Sequence, residues 1–217
     1  GFGVHAGTVR IDGPAVMDRV RRERDRFTGF VVENVEGLPA ADKVRGYARF
    51  AAPDRLLLDN HTEVHAEPIV IPTGSTPVVP EEWAKAGPRV IHSDAVFEWT
   101  DLPGSVAVIG TGVTGLELGQ ALHRLGVRVA LYARGNSIAQ LSDPAVLAEA
   151  AKVLQDELDV RFQTQVVAVR QDGEQVVLTT RDGAGNERQE HYDYVLAAIG
   201  RAPNVQALRL GAPDPLG

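Results

Sequence analysis

The run Ser105-Val106-Ala107-Val108-Ile109-Gly110-Thr111-Gly112-Val113-Thr114-Gly115 decides the fold. An apolar strand leads into a glycine-rich turn, and Leu118, Ala121, Leu122 and Leu125 then share one helical face until Gly126 ends the helix. Val127-Arg128-Val129-Ala130-Leu131-Tyr132 alternates as a second strand, so residues 106–132 predict one strand, helix, parallel strand unit. Gly110, Gly112 and Gly115 fit GxGxxG between that strand and that helix, the setting in which the pattern binds a dinucleotide. Each glycine has a mechanical task. Gly110 makes the tight turn, Gly112 has no Cβ to block an approaching pyrophosphate, and Gly115 lets the helix lie close on the sheet. The helix start at Val113 and Thr114 offers free amides and a partial positive charge to phosphates.

In NAD sites an Asp or Glu at the end of the second strand accepts hydrogen bonds from the adenine ribose hydroxyls. This sequence has Ala133-Arg134 there. Without the carboxylate nothing repels a 2′-phosphate, and an arginine can clamp one with a forked pair of charge-assisted hydrogen bonds. The reading favours NADP over NAD, with a solvated loop arginine as the alternative.

Upstream, Asp12 is an N-cap candidate before Gly13 and Pro14, and Val16, Val20 and Phe27 predict a helix over residues 14–30. Its mixed charges from Arg19 to Arg26 read as a solvated face. Residues 44–50, 55–58 and 69–71 are short β-type runs, with Asp59-Asn60 as a turn, and predict a small antiparallel meander. The prolines at 72, 77, 80, 88 and 103 mark a linker and a domain crossing. Downstream, Asp143-Pro144 caps a helix reaching Asp156. Three strands near 160–169, 174–180 and 187–191 follow, joined by Asp172-Gly173 and by residues 182–186, before the buried run Val195-Leu196-Ala197-Ala198-Ile199.

The 217 residues hold 22 Lys+Arg against 29 Asp+Glu, a net charge of −7, so no general field attracts polyanions and nucleic acid is not an expected partner. No apolar run reaches the roughly 18 residues of a membrane span and no charged-then-apolar leader opens the sequence. A soluble cytoplasmic protein without a membrane partner is therefore expected. The absence of cysteine removes disulfides, thiolate metal sites and any redox dithiol from these residues. Histidines at 5, 61, 65, 92, 123 and 191 lack metal-ligand spacing, and no metal site is expected.

Three stretches carry a resemblance: Thr73-Gly74-Ser75 after Ile69-Val70-Ile71, the run from Val106 to Gly126, and Leu196-Ala197-Ala198-Ile199-Gly200-Arg201-Ala202-Pro203-Asn204. In order and spacing they resemble the FAD-dependent pyridine nucleotide–disulfide oxidoreductases of the dihydrolipoamide dehydrogenase and glutathione reductase type. Pro72 departs from the alanine usual before the first of them. The resemblance implies an α/β chain with a Rossmann-like NAD(P)-binding domain, a parallel sheet plus a β-meander, and remnants of a flavin domain. It divides the chain into 1–100, the end of a first FAD-domain segment and a linker, 101–200, the NAD(P)-binding domain, and 201–217, the start of the return to the FAD domain. It implies that Glu117 lies near the nicotinamide and that Val166 meets the adenine of the same nucleotide. Gly200 joins this NAD(P) set, while Ala48, Thr73, Gly74 and Ser75 touch FAD when the protein is complete. Gln140 stands where NADP-specific relatives often carry a second arginine, which weakens the 2′-phosphate argument.

The family's FAD fingerprint, redox cysteine pair, acid–base pair and dimer domain have no counterpart in these residues. The chain is therefore expected to be an internal portion of such an enzyme, with no catalytic residue of its own. The implied parent transfers hydride between nicotinamide and FAD, exchanges electrons with a disulfide or dithiol, and is a homodimer through a domain absent here. The alternative is a non-catalytic dinucleotide-binding or redox-sensing module.

Overall fold

The computed structural model describes residues 7–210. Its elements in chain order are α1 (Gly13–Glu36), β1 (Ala48–Ala52), β2 (Arg55–Leu58), β3 (Thr62–His65), β4 (Ser75–Pro77), α2 (Glu81–Ala84), β5 (Val90–His92), α3 (Ser93–Val96) and β6 (Ser105–Ile109). There follow α4 (Val113–Arg124), β7 (Arg128–Tyr132), α5 (Pro144–Glu157), β8 (Asp159–Arg161), β9 (Gln165–Asp172), β10 (Gln175–Arg181), β11 (Glu187–Tyr192), β12 (Tyr194–Ala197) and β13 (Arg201–Pro203). The chain divides into two compact units, one of residues up to Asp25 with Pro77–Gly200, the other of Arg26–Thr76 with the segment from Arg201 onward.

The first unit is built on a five-stranded sheet in the order β5-β12-β6-β7-β8, in which every neighbouring pair is parallel. Side-chain alternation sorts its strands between two cores. Val106, Val108, Val129, Leu131 and Leu196 face a cluster that includes Leu122, Val127 and Leu158, with Leu116, Leu118 and Leu154 packed against it. Ala107, Ile109, Ala130, Tyr132 and Val195 face the other way, onto Val176, Leu178 and Tyr192 of the antiparallel sheet β11-β10-β9. Helices therefore cover one face of the parallel sheet and a β-meander the other.

Helix ends follow local chemistry. Asp12 Oδ1 accepts the Ala15 amide at 3.1 Å to open α1, and Asp143 Oδ1 accepts the amides of Ala145 and Val146 to open α5. After α4, Gly126 at φ +86 lets the Val127 amide reach the Leu122 carbonyl and its own amide reach that of His123, the paired bonds of a left-handed helix stop.

The meander is joined to the parallel sheet by a polar group sunk between them. The Tyr132 hydroxyl accepts from Arg161 at 2.9 Å and donates to Glu190 at 2.9 Å, and it lies 2.8 Å from the Tyr192 hydroxyl. One hydroxyl proton and two lone pairs are thereby all used, with Tyr192 as the donor to Tyr132. Arg161 also pairs directly with Glu190 and with Asp159. Burial pushes the Tyr132 phenol well above its ordinary value, so it stays neutral. Burial works against the Glu190 carboxylate, but the hydrogen bonds from Arg161 and Tyr132 outweigh it and hold Glu190 below its ordinary 4.5. A lowered carboxylate contributes stability above the ordinary value and loses it as pH falls through the lowered one. Glu190→Gln is expected to cost about 2 kcal/mol at pH 7, between exposed pairs and fully buried ones. In urea unfolding the gap to the unmodified chain should narrow as the pH is taken below 4.5. A gap that stays constant down to acid pH means that the Glu190 charge contributes nothing to this contact.

In the second unit, β1, β2 and β3 form an antiparallel sheet in that order, and β4 pairs with β13. Leu58 is buried, and β1 also contacts the short helical turn Gln206–Leu208, whose Leu208 is buried as well.

Four sequence expectations need correction. The helix predicted over 14–30 runs to Glu36, and its second half leaves Phe27, Phe30, Val31 and Val32 exposed, so no apolar stripe marked the extension in the sequence. The third meander strand is Thr62–His65, paired with β2, whereas Ile69-Val70-Ile71 forms no strand. The segment between Pro77 and Pro103 is more than a linker, since Val90–His92 supplies an edge strand of the parallel sheet against β12. The strand read over 160–169 is two strands in different sheets, broken at Gln163, which takes φ +50, and Thr164, whose amide bonds the Ala133 carbonyl at 2.8 Å.

Candidate dinucleotide site

Strands β5, β12, β6, β7 and β8 end level, with His92, Ala197, Ile109, Tyr132 and Arg161 in register. From β6 the chain moves through α4 to β7 on one side, while β12 lies on the other, so the carboxyl end of β6 is a topological switch point, where open α/β sheets bind ligands. The glycine turn sits there.

The three glycines differ in what surrounds them. At Gly110, φ is +114 and a Cβ would stand 2.4 Å from the Ala198 carbonyl oxygen. A Cβ on Gly115 would stand 2.2 Å from the Gly110 carbonyl oxygen, so α4 could not approach the turn as it does. Gly112 is the contrast: nothing lies within 4 Å of its Cβ position, and the open space borders the start of α4. No side chain caps α4 and no acidic residue stands in its first turn. In α5 Asp143 fills that role. The amides at Val113 and Thr114, both exposed residues, therefore face the space over Gly112 without a competing carboxylate.

The β7 end is tied to this turn, since the Gly110 amide donates to the Tyr132 carbonyl at 2.8 Å. Ala133 is buried and Arg134 is exposed. Arg134 has no hydrogen-bond or ion-pair partner among the described residues, unlike Arg161 at the end of the neighbouring strand β8. Beyond it the loop folds back over the turn through Thr111, whose hydroxyl donates to the Ser137 carbonyl. The returning segment closes the other side. The Ala198 amide donates to the Ile109 carbonyl at 2.8 Å, and the Gly200 carbonyl accepts the Val78 amide at 3.0 Å.

A family model for pyridine nucleotide-disulphide oxidoreductases matches residues 11–213. The chain belongs to that family. A dihydrolipoyl dehydrogenase 3 of Pseudomonas aeruginosa is 32% identical over 215 residues, which is 93% of this chain and 45% of the relative. A dihydrolipoyl dehydrogenase of Thermus scotoductus is 34% identical over 194 residues, covering 86% of this chain and 41% of the relative. Among solved structures, the HOCl-induced flavoprotein disulfide reductase RclA from Escherichia coli matches with a TM-score of 0.72 at 24% identity, covering 88% of this chain and 44% of that one, a likeness of fold. The chain spans less than half the length of these relatives. Membership in the pyridine nucleotide-disulphide oxidoreductases implies FAD and a pyridine nucleotide as cofactors.

The structure thus gathers Gly110, Gly112, Val113, Thr114, Gly115, Ala133, Arg134 and Gly200 at one end of one sheet. Glu117 lies exposed on the next turn of α4. Val166 is on β9, half-buried against the Tyr132 cluster, so part of its surface is used in packing. Gln140 is exposed in the loop before α5. The residues assigned to FAD lie in the second unit, where two family segments distant in sequence meet. Asn204 donates from its backbone to the Gly74 carbonyl at 3.0 Å and from its amide side chain to Thr73, while Arg201 bonds Ser75 at its carbonyl and hydroxyl. Ala48 begins β1 in the same unit, opposite Leu58. Sequence reasoning missed Thr111 and Ala198, although both lie inside motifs it quoted. A motif marks which residues are glycine but not what its intervening side chains touch. Among the described residues, no group of three or more His, Cys, Asp and Glu stands together in a way that could hold a metal, and no helix is long and apolar enough to cross a membrane.

Proposed function

We propose that the Pro77–Gly200 unit binds a nicotinamide dinucleotide at the carboxyl end of β6, with NADPH preferred to NADH, as the nucleotide-binding part of a flavoprotein oxidoreductase. The observation that carries this reading is the open space over Gly112 beside the uncapped start of α4. It fits a pyrophosphate, which needs close backbone approach and unclaimed amides. Gly112, Val113 and Thr114 would hold the pyrophosphate, Ala133 and Arg134 would face the adenosine ribose, and Glu117, Val166 and Gly200 would line the remainder. The bound groups supply hydride transfer between nicotinamide and FAD, and this chain's residues bind and orient the nucleotide. For the whole protein, family membership supports electron exchange with a disulfide or dithiol substrate.

Arg134 carries the preference for NADPH. Unit charges 4 Å apart attract by roughly 4 kcal/mol at an effective dielectric of 20, of which desolvation and screening leave about 1–2. The expected discrimination is about tenfold. Calorimetric titration of the 217-residue chain with NADPH, NADH and adenosine 2′,5′-bisphosphate tests this. The 2′-phosphorylated ligands should bind more tightly, by a margin that shrinks with salt and is lost in Arg134→Ala. Equal affinity for NADPH and NADH in the unmodified chain makes Arg134 an ordinary loop residue.

A further inference from the structure

Thr111, the second residue of the glycine turn, is 5% exposed. It is committed twice to one loop: its hydroxyl donates to the Ser137 carbonyl at 2.6 Å, and its own carbonyl accepts the Ala139 amide at 2.7 Å. That loop begins with Arg134. Arg134, Gly135, Asn136 and Ser137 are exposed, whereas Ile138 is buried and Ala139 takes φ +48. A left-handed alanine persists only where its surroundings over-determine it. Here the bond to Thr111 and the buried Ile138 do so. On either side of Arg134 itself, the Thr164 amide donates to the Ala133 carbonyl at 2.8 Å and the Gln163 amide to the Gly135 carbonyl at 3.3 Å. Arg134 is thus bracketed by ties at Ala133 and Gly135 to the segment between β8 and β9, and the loop just beyond it is held to the glycine turn itself.

We infer that Thr111 is a positioning residue for nucleotide selectivity: its two bonds hold the Arg134 loop in register with the turn. Discrimination for the 2′-phosphate then depends on a hydroxyl buried beneath the loop. This rests on the reading of Arg134 as the 2′-phosphate clamp. Valine keeps the shape of Thr111 and its backbone carbonyl and removes only the hydroxyl donor. Ser137 is exposed, so water can satisfy its carbonyl, and the fold loses little while the loop gains freedom. A forked arginine–phosphate contact tolerates little displacement, so that freedom is read in selectivity.

The test uses the 217-residue chain with NADPH, NADH and adenosine 2′,5′-bisphosphate in calorimetry, together with amide exchange of residues 135–139. In Thr111→Val the NADPH:NADH affinity ratio is expected to fall from about tenfold to within about threefold, and in Thr111→Ser to be retained. Added to Arg134→Ala, Thr111→Val should change the ratio no further, because it acts through Arg134. Loop exchange should quicken in Thr111→Val and not in Thr111→Ser. Unchanged exchange in Thr111→Val overturns the inference whatever the nucleotides do, and so does a Thr111→Val chain that keeps its full ratio. Equal binding of NADPH and NADH by the unmodified chain overturns the Arg134 reading, and the selectivity role of Thr111 falls with it.

Discussion

Gly112→Val is expected to stay folded and to bind NADPH about 100-fold more weakly, a loss of roughly 3 kcal/mol or two charge-assisted backbone hydrogen bonds. The two halves of this expectation come from one geometry. Gly112 has φ −69 and ψ 172, a conformation that any residue adopts, and nothing lies within 4 Å of the added Cβ. Exchanging glycine for valine at this helix-capping position costs stability of about 1 kcal/mol or less. The same side chain fills the space beside the amides of Val113 and Thr114 and holds a pyrophosphate away from them. Thermal melting and nucleotide titration of one preparation separate the effects. A folded Gly112→Val chain that binds NADPH as tightly as the unmodified chain removes the glycine turn from the binding site.

Gly110→Ala should do the reverse and damage the fold directly, by about 4 kcal/mol. Two costs combine: the residue must hold φ +114, and its Cβ would lie 2.4 Å from a backbone oxygen at Ala198. That oxygen cannot swing aside as a side chain would, because the Ala198 amide is bonded to the Ile109 carbonyl. Gly126→Ala serves as the control, since its φ of +86 is equally unsuited to alanine but its surroundings are open. It should cost only about 1–2 kcal/mol. Urea midpoints for the two variants isolate the steric contribution of the Ala198 contact. If they coincide, the turn and the returning segment are not packed as closely as described. A loss of about 4 kcal/mol is a large share of the stability of an ordinary domain, so Gly110→Ala should also express poorly.

The sequence by itself determined the elements whose signals are local. Residues 106–132 announce a strand, a glycine turn, a helix and a second strand because apolar spacing and glycine positions act on near neighbours, and the structure has β6, α4 and β7 there. Asp143-Pro144 fixes the start of α5 for the same reason, through bonds to Ala145 and Val146. The proposal of NADP rests on an equally local signal, the side chain that follows one strand. Partners distant in the chain were decided only by tertiary structure. Val90–His92 reads as linker because three residues among prolines carry no periodicity, and it becomes a strand only when β12, more than a hundred residues later, offers an edge. Residues 160–169 read as one strand because alternation continues across Gln163, and the break appears only where Ala133 captures the Thr164 amide. Tyr132, Arg161 and the pair Glu190 and Tyr192 stand on three different strands and meet only when the meander folds over the sheet. Thr111 belongs with them: its place in the motif is a fact of sequence, but its hold on Ser137 and Ala139 exists only once the loop has returned. Hydrogen bonds and packing between distant segments depend on three-dimensional approach, which spacing along a chain does not encode.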